Sequence, residues 1–158
     1  MVSLFKKEYK IIAPISGEVL DLTKAPDPVF SQKLAGDGVL LNPSDNLIVA
    51  PADGVLSMIF KTNHAFGMKL ENGIEILVHI GIDTVKLNGQ GFERIALEGS
   101  TLKAGEPVMR IDCKFIAESG FSLMSPVLIT NPDETSSMNF LIDCKVTAGR
   151  DTIIRYKK

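Results

Sequence analysis

A chain of 158 residues, 45% apolar and 23% charged, is long enough to bury a real core as one domain over 1–158, and its composition excludes a disordered chain. A formal charge of −2 with four scattered arginines gives no basic surface for nucleic acid. No run approaches the ~18 apolar residues of a membrane span, and the first ten residues contain no signal-peptide core. Cys113 and Cys144 lack metal-site or redox spacing, so the expectation is a cytoplasmic protein with free thiols.

In chain order, residues 1–8 read as a flexible tail. Ile11 to Leu22 then reads as a strand pair broken at Pro14 and Gly17, and Leu47 to Leu56 repeats the pattern of apolar residues, Ala-Pro, two residues, Gly, apolar residues. Two copies suggest paired β-motifs rather than a solenoid. Between them, Asp27 to Gly38 reads as one or two helical turns closed by Gly36 and Gly38. From Ser57 to Leu70 the chain alternates again, with Phe60, Thr62, His64, Phe66 and Met68 sharing a parity. Phe92 to Glu98 reads as short helical or irregular structure. Asp112 caps a short helix that Gly120 stops, and a further short helix is expected around Asp133 to Leu141. Pro126 to Thr130 and Thr152 to Tyr156 read as late strands. Many short strands between glycine and proline turns predict an all-β fold, an antiparallel sandwich or barrel with a few short helices.

The stretch Gly73 to Val85 organises the rest. Alternation sends Ile74, Ile76, Val78, Ile80 and Ile82 to one face, and Glu75, Leu77, His79, Gly81 and Asp83 to the other. The strand therefore presents an imidazole, and Gly81, lacking a side chain, leaves room for a partner to approach it.

Three readings of His64 and His79 compete: core histidines, metal ligands, or a nucleophile with its helper. A zinc centre wants a third protein ligand, which is not evident although Asp83 or Glu75 could be recruited, and no Gly-x-Ser-x-Gly or phosphate-loop motif is present. Phosphoryl transfer through histidine fits better, because a neutral imidazole is nucleophilic near physiological pH and apolar neighbours exclude water. Thr62, two residues before His64, could fix that ring's tautomer.

Gly73 to Val85 matches the phosphohistidine signature of the glucose-type enzyme IIA component of the bacterial phosphoenolpyruvate-dependent sugar phosphotransferase system. Thr62-Asn63-His64-Ala65-Phe66 is similar to that family's second-histidine motif. Ala13-Pro14, Pro26-Asp27, Val29-Phe30, Gly36-Asp37-Gly38, Ala50-Pro51 and Gly91-Phe92 follow in the family's order. The resemblance implies a β-sandwich with a shallow apolar depression holding both histidines. By it His79 accepts phosphate from the histidine-containing phosphocarrier protein and donates it to a cysteine of an enzyme IIB domain, while His64 stabilises the transfer and Thr62 orients the imidazoles. No cofactor is required, and zinc bound through both histidines and a partner's carboxylate stays an open possibility. The docking surface is expected to comprise Asp27, Val29, Phe30, Phe60, Phe66, Leu77, Gly81, Asp83 and Val85. Pro28 departs from the family, which has an apolar β-branched residue there.

The chain also resembles biotin and lipoyl carriers at its Ala-Pro/Gly repeats and at Met68-Lys69-Leu70, which would make Lys69 the modified residue. A zinc hydrolase of related barrel shape is a third reading. Nothing in the sequence identifies the sugar.

Overall fold

The structure, a computed structural model, describes residues 6–158. Fourteen short strands are present among these residues: β1 (Glu8–Ile12), β2 (Gly17–Asp21), β3 (Asp37–Pro43), β4 (Leu47–Val49), β5 (Gly54–Ile59), β6 (Ala65–Lys69), β7 (Glu75–His79), β8 (Phe92–Arg94), β9 (Thr101–Leu102), β10 (Pro107–Ile111), β11 (Ser125–Ile129), β12 (Ser137–Phe140), β13 (Cys144–Val146) and β14 (Thr152–Lys157). One eight-stranded sheet runs β13-β2-β3-β11-β7-β6-β5-β9, and two three-stranded sheets run β1-β14-β12 and β4-β10-β8. Neighbours pair antiparallel throughout. The all-β reading holds. Glu8 already belongs to β1, so strand begins inside the expected tail, of which residues 1–5 lie outside the described residues.

The repeated Ala-Pro motifs explain the arrangement. Ile12 N–H donates to the Pro51 carbonyl and Val49 N–H to the Pro14 carbonyl, while the Ala13 and Ala50 carbonyls accept from Gly149 and Gly105 respectively. Each proline is excused from donating where the chain leaves one sheet for another. The two copies thus pair reciprocally, and the sheets repeat the relation: β13-β2 at one edge of the large sheet matches β5-β9 at the other.

Period-two alternation divides the middle of the large sheet between two cores. Val39 and Leu41 of β3, Val127 and Ile129 of β11, and Ile76 and Val78 of β7 point into the main core with Ile48, Val108, Ile153 and Ile154 of the smaller sheets. Leu40, Leu128 and Leu77, the alternate residues, point outward to a second cluster with Leu22, Ala25, Phe30 and Ile82. The segment after β2 folds over that face as a 3₁₀ turn (Leu22–Lys24) and the four-residue helix α1 (Pro28–Ser31). Asp27 caps α1 by accepting from Val29 N–H, and Pro28 occupies its first turn, where a missing N–H costs nothing. The departure at Pro28 is therefore a good helix start. Each fully buried aliphatic side chain contributes roughly 1.5–3 kcal/mol, so this small outer cluster is enough to hold α1 down.

Four local expectations need correction. Ser57 to Leu70 is not one alternating strand: the register shifts between Leu56 and Met58, and a turn at Lys61–Asn63 separates β5 from β6. Phe66 consequently faces inward and is fully buried in the main core, so it forms no part of a docking surface. Phe92 to Arg94 is strand β8. Beyond Asn131, the helix signal of Pro132-Asp133-Glu134 yields a 3₁₀ turn only, because Met138 and Phe140 alternate and pair with β14 as β12. The second short helix, α2 (Cys113–Glu118), forms as read, with the Asp112 carboxylate accepting from Phe115 N–H.

Candidate functional site

Two neighbouring segments bring the histidines together. His79 is the last residue of β7, on the outward face shared with Leu77, and it pairs with Ala65, so His64 arrives beside it immediately before β6. The Ile80 N–H donates to the His64 carbonyl at 2.7 Å and locks the two backbones side by side. The rings meet edge to face with centroids 5.1 Å apart. Phe30 of α1 lies against His79 at 4.9 Å, and Phe60 lies edge-on to His64 at 5.2 Å. The two imidazoles therefore sit together, each against a phenylalanine, on the outward side of the large sheet.

Hydrogen bonds settle the protonation of one ring and constrain the other. The Gly81 carbonyl lies 2.8 Å from His79 Nδ1. A carbonyl only accepts, so Nδ1 carries the proton and the neutral ring keeps its lone pair on Nε2. Thr62 Oγ1 lies 2.5 Å from His64 Nδ1; with the hydroxyl as donor, His64 carries its proton on Nε2. The Thr62–His64 contact read from the sequence is thus present. The loop that holds it is tied down by Arg94, which donates from Nε to Asn63 Oδ1 and from its terminal nitrogen to the Phe60 carbonyl. Asn63 adopts a left-handed φ of 60° to make that turn. Arg94 lies 31 residues from Asn63, and nothing local in the sequence points to it.

Gly81 takes a different part from the one expected. It is buried, its φ is 73°, and an added Cβ would lie 2.6 Å from Thr84 Cγ2 and 2.8 Å from the Ser122 carbonyl. The glycine does not clear space for a partner. It permits the turn that follows β7 and presents its carbonyl to His79.

Both imidazoles are held neutral. Burial pushes His64 down to about 4, and the adjacent His79 adds to the effect. His79 is also lowered, first by burial, against opposing pulls from the Gly81 hydrogen bond and the Asp27 and Asp83 carboxylates. Those two charges therefore lie near the ring, as expected from their places in the sequence. A native pKa below the unfolded value of about 6.5 means that the unfolded chain binds more protons between the two, so stability falls as pH drops below 6.5. For His64, whose shift is large, the slope approaches about 1.4 kcal/mol per pH unit between the two values. Asp21, lowered by its bonds to Thr23, loses its own contribution only below the ordinary carboxylate range. Urea unfolding at pH 7 and pH 5 should therefore show a histidine-driven loss, and His64→Gln should lose clearly less over that interval than the wild type. Equal losses in the two proteins would mean that His64 is not held neutral in the fold.

The rest of the expected surface divides. Val29 and Val85 are exposed, Leu77 and Phe60 half-buried, and Phe30 mostly covered by its contacts around His79. Among the described residues no three His, Cys, Asp or Glu side chains converge. Two imidazoles fall short of the three protein ligands of a zinc centre, so a zinc ion here would take its remaining ligands from a partner. Lys69 pairs with Val55 on one side and Glu75 on the other, within the sheet rather than at a hairpin tip, which does not suit a swinging biotinyl or lipoyl arm. Among the described residues no helix is long and apolar enough to cross a membrane.

Residues 9–135 match the family described as phosphoenolpyruvate-dependent sugar phosphotransferase system, EIIA 1. The chain is 45% identical over 151 residues to a PTS system glucose-specific EIIA component of Haemophilus influenzae, covering 96% of this chain and 90% of the relative. Its identity to the glucose-specific EIIA component of Borreliella burgdorferi is 45% over 141 residues, 88% of this chain and 75% of that protein. An N-acetylglucosamine-specific EIICBA component of Klebsiella pneumoniae is 44% identical over 147 residues, 93% of this chain but only 23% of the longer protein. The solved glucose permease IIA from Mycoplasma capricolum superposes with a TM-score of 0.89 at 34% identity, covering 98% of this chain and 99% of that one. The chain therefore belongs to the EIIA family of the phosphoenolpyruvate-dependent sugar phosphotransferase system, phosphotransferase components that relay phosphoryl groups in sugar uptake.

Proposed function

We propose that His79 Nε2 takes a phosphoryl group from the histidine-containing phosphocarrier protein and passes it to a cysteine of an enzyme IIB domain in the cytoplasm. The observation that carries this is the 2.8 Å contact of His79 Nδ1 with the Gly81 carbonyl, which leaves Nε2 as the nucleophile. In the first step the Nε2 lone pair forms a bond to phosphorus as the donor's N–P bond breaks, its electron pair returning to the donor imidazole. In the second a thiolate attacks phosphorus and the Nε2–P pair returns to His79. Because Nδ1 keeps its proton throughout, His79 leaves as a neutral imidazole and needs no proton from solvent. His64, donating from Nε2–H with Thr62 behind it, stabilises the charge on the transferring oxygens.

Protein partners suit this surface better than a small substrate does. Val29, Leu77 and Val85 give a patch that is apolar yet partly open, around rings that are themselves largely covered. Asp27 and Asp83 at its rim would draw in a cationic partner face and raise the association rate rather than hold the complex. A glucose-specific and an N-acetylglucosamine-specific relative are similar to this chain to nearly the same degree, 45% and 44% identical, which supports leaving the choice of sugar to the permease. The test is single-turnover labelling by phosphorylated phosphocarrier, with the linkage read by NMR. The expected product is phosphohistidine at Nε2 of His79; a label on Nδ1, or on His64, sinks the assignment.

A further inference from the structure

We infer that Ser125 and Thr84 are positioning residues for the relay, fixing the Gly81 peptides so that the Gly81 carbonyl keeps the proton of His79 on Nδ1. The inference rests on the proposed role of His79 Nε2, and it concerns two buried residues whose hydroxyls bond to backbone groups rather than to either imidazole. Gly81 joins two peptide groups. The first has its N–H, that of Gly81, donating to Ser125 Oγ at 3.1 Å, while its carbonyl, that of Ile80, accepts from Thr84 Oγ1. The second has its N–H, that of Ile82, donating to the Ser122 carbonyl at 3.0 Å, while its carbonyl, that of Gly81, faces His79 Nδ1. Every polar group of this turn is thus committed, and two of the four partners are side-chain hydroxyls.

Both hydroxyls are suited to that task. Ser125 is 2% and Thr84 0% exposed, so water does not substitute for either. The Ser125 hydroxyl spends its single proton on the Leu123 carbonyl at 2.7 Å, which leaves its lone pairs facing Gly81 N–H. Its direction is therefore set from behind. Ser125 opens β11, whose Val127 pairs with Val78 of β7, so the hydroxyl is delivered on the strand next to the one that carries His79. A glycine at φ 73° has alternative conformations available that any other residue lacks. Without the Ser125 acceptor, Gly81 N–H would be buried and unpaired, which is unfavourable, and the Gly81 peptides would turn to relieve it. The turn carries the Gly81 carbonyl away from Nδ1, and the ring then divides its proton between the two nitrogens. Nε2 is the nucleophile only in the fraction that keeps the proton on Nδ1.

The readout is the tautomer of His79, measured from its ring ¹⁵N shifts at pH 7.5, with single-turnover phosphoryl acceptance alongside. The wild type should show one Nδ1–H tautomer. Ser125→Ala should show a mixture and accept phosphate about 2- to 10-fold more slowly, in proportion to the Nδ1–H fraction that remains, and Ser125→Thr, which keeps the hydroxyl, should restore the single tautomer. A single Nδ1–H tautomer in Ser125→Ala overturns the inference, whatever the labelling shows. Should Ser125→Ala fail to fold, Thr84→Val read against Thr84→Ser carries the same test with the same overturning result. Ile154→Val, in the core on β14, serves as the control for lost stability alone; a tautomer shift there as large as in Ser125→Ala would also overturn it. Failure of the relay itself would look different: an unlabelled wild type in which the tautomer still depends on Ser125.

Discussion

His79→Ala should abolish phosphoryl acceptance, lowering the single-turnover rate by at least about 10⁴-fold, the scale on which removal of a nucleophile acts. The fold should survive. His79 stands at the end of β7 on the outward face, and what is lost is its ring contacts with Phe30 and His64 and one hydrogen bond to a carbonyl. Such a loss is worth about 1 kcal/mol, so the melting curve should move little while transfer disappears. The same variant offers an internal check on the electrostatics. His64 is held down first by burial and only secondarily by the neighbouring ring, so His79→Ala should raise the His64 pKa slightly and leave it well below the ordinary histidine value of about 6.5. An acid-labile, base-stable label that persists in His79→Ala would reject His79 as the acceptor; if it sits on His64, the roles of the two rings are exchanged.

The parts of this site that were legible in the sequence are those that depend on strand alternation and on short spacing. Ile76, Leu77, Val78 and His79 alternate strictly, and the strand places them as the pattern predicts, the isoleucine and valine inward and the other two outward. Thr62 and His64 are two residues apart, so their contact needs only a turn. Phe66 fails the same logic because parity holds only within an unbroken strand. The bulge at Ser57 and the turn at Lys61–Asn63 change the phase, and Phe66 comes out on the core side of His64. Gly81 fails for another reason. A glycine after a strand histidine is compatible with an open approach or with a left-handed turn, and only the positions of Thr84 and Ser122 decide between them. Arg94 and Ser125 act across 31 and 44 residues of chain. Their roles exist only after β8 and β11 have been placed, and no periodicity or motif encodes them locally. Expectations of fold class survive such gaps, because the core is set by many alternating residues at once and the site by a few single contacts.

Gly81→Ala should destabilise the protein by about 3 kcal/mol or more, a substantial share of a typical domain's roughly 5–15 kcal/mol, and should slow transfer in the molecules that remain folded. Two costs combine. A residue with a Cβ at φ 73° pays on the order of 1–3 kcal/mol in backbone strain, and here the Cβ would also lie 2.6 Å from Thr84 Cγ2 and 2.8 Å from the Ser122 carbonyl. Neither neighbour can yield freely. Thr84 is fully buried and its hydroxyl is bonded to the Ile80 carbonyl, while the Ser122 carbonyl accepts from Ile82 N–H. Overpacking of this kind adds roughly another 1–3 kcal/mol. Gly99→Ala separates the two effects, because Gly99 has a φ of 90° but nothing lies within 4 Å of where its Cβ would sit, so it should carry the strain alone. At about 2–4 °C per kcal/mol for a chain of this size, Gly81→Ala should melt roughly 10 °C below the wild type, and Gly99→Ala only a few degrees below it. Relief of the clash requires the turn to move, and the turn carries the carbonyl that holds the His79 proton on Nδ1. Folded Gly81→Ala at low temperature should therefore accept phosphate more slowly than folded Gly99→Ala. Equal melting temperatures for the two variants would show that the space around Gly81 is not the constraint, and equal transfer rates would show that the Gly81 carbonyl does not direct the ring.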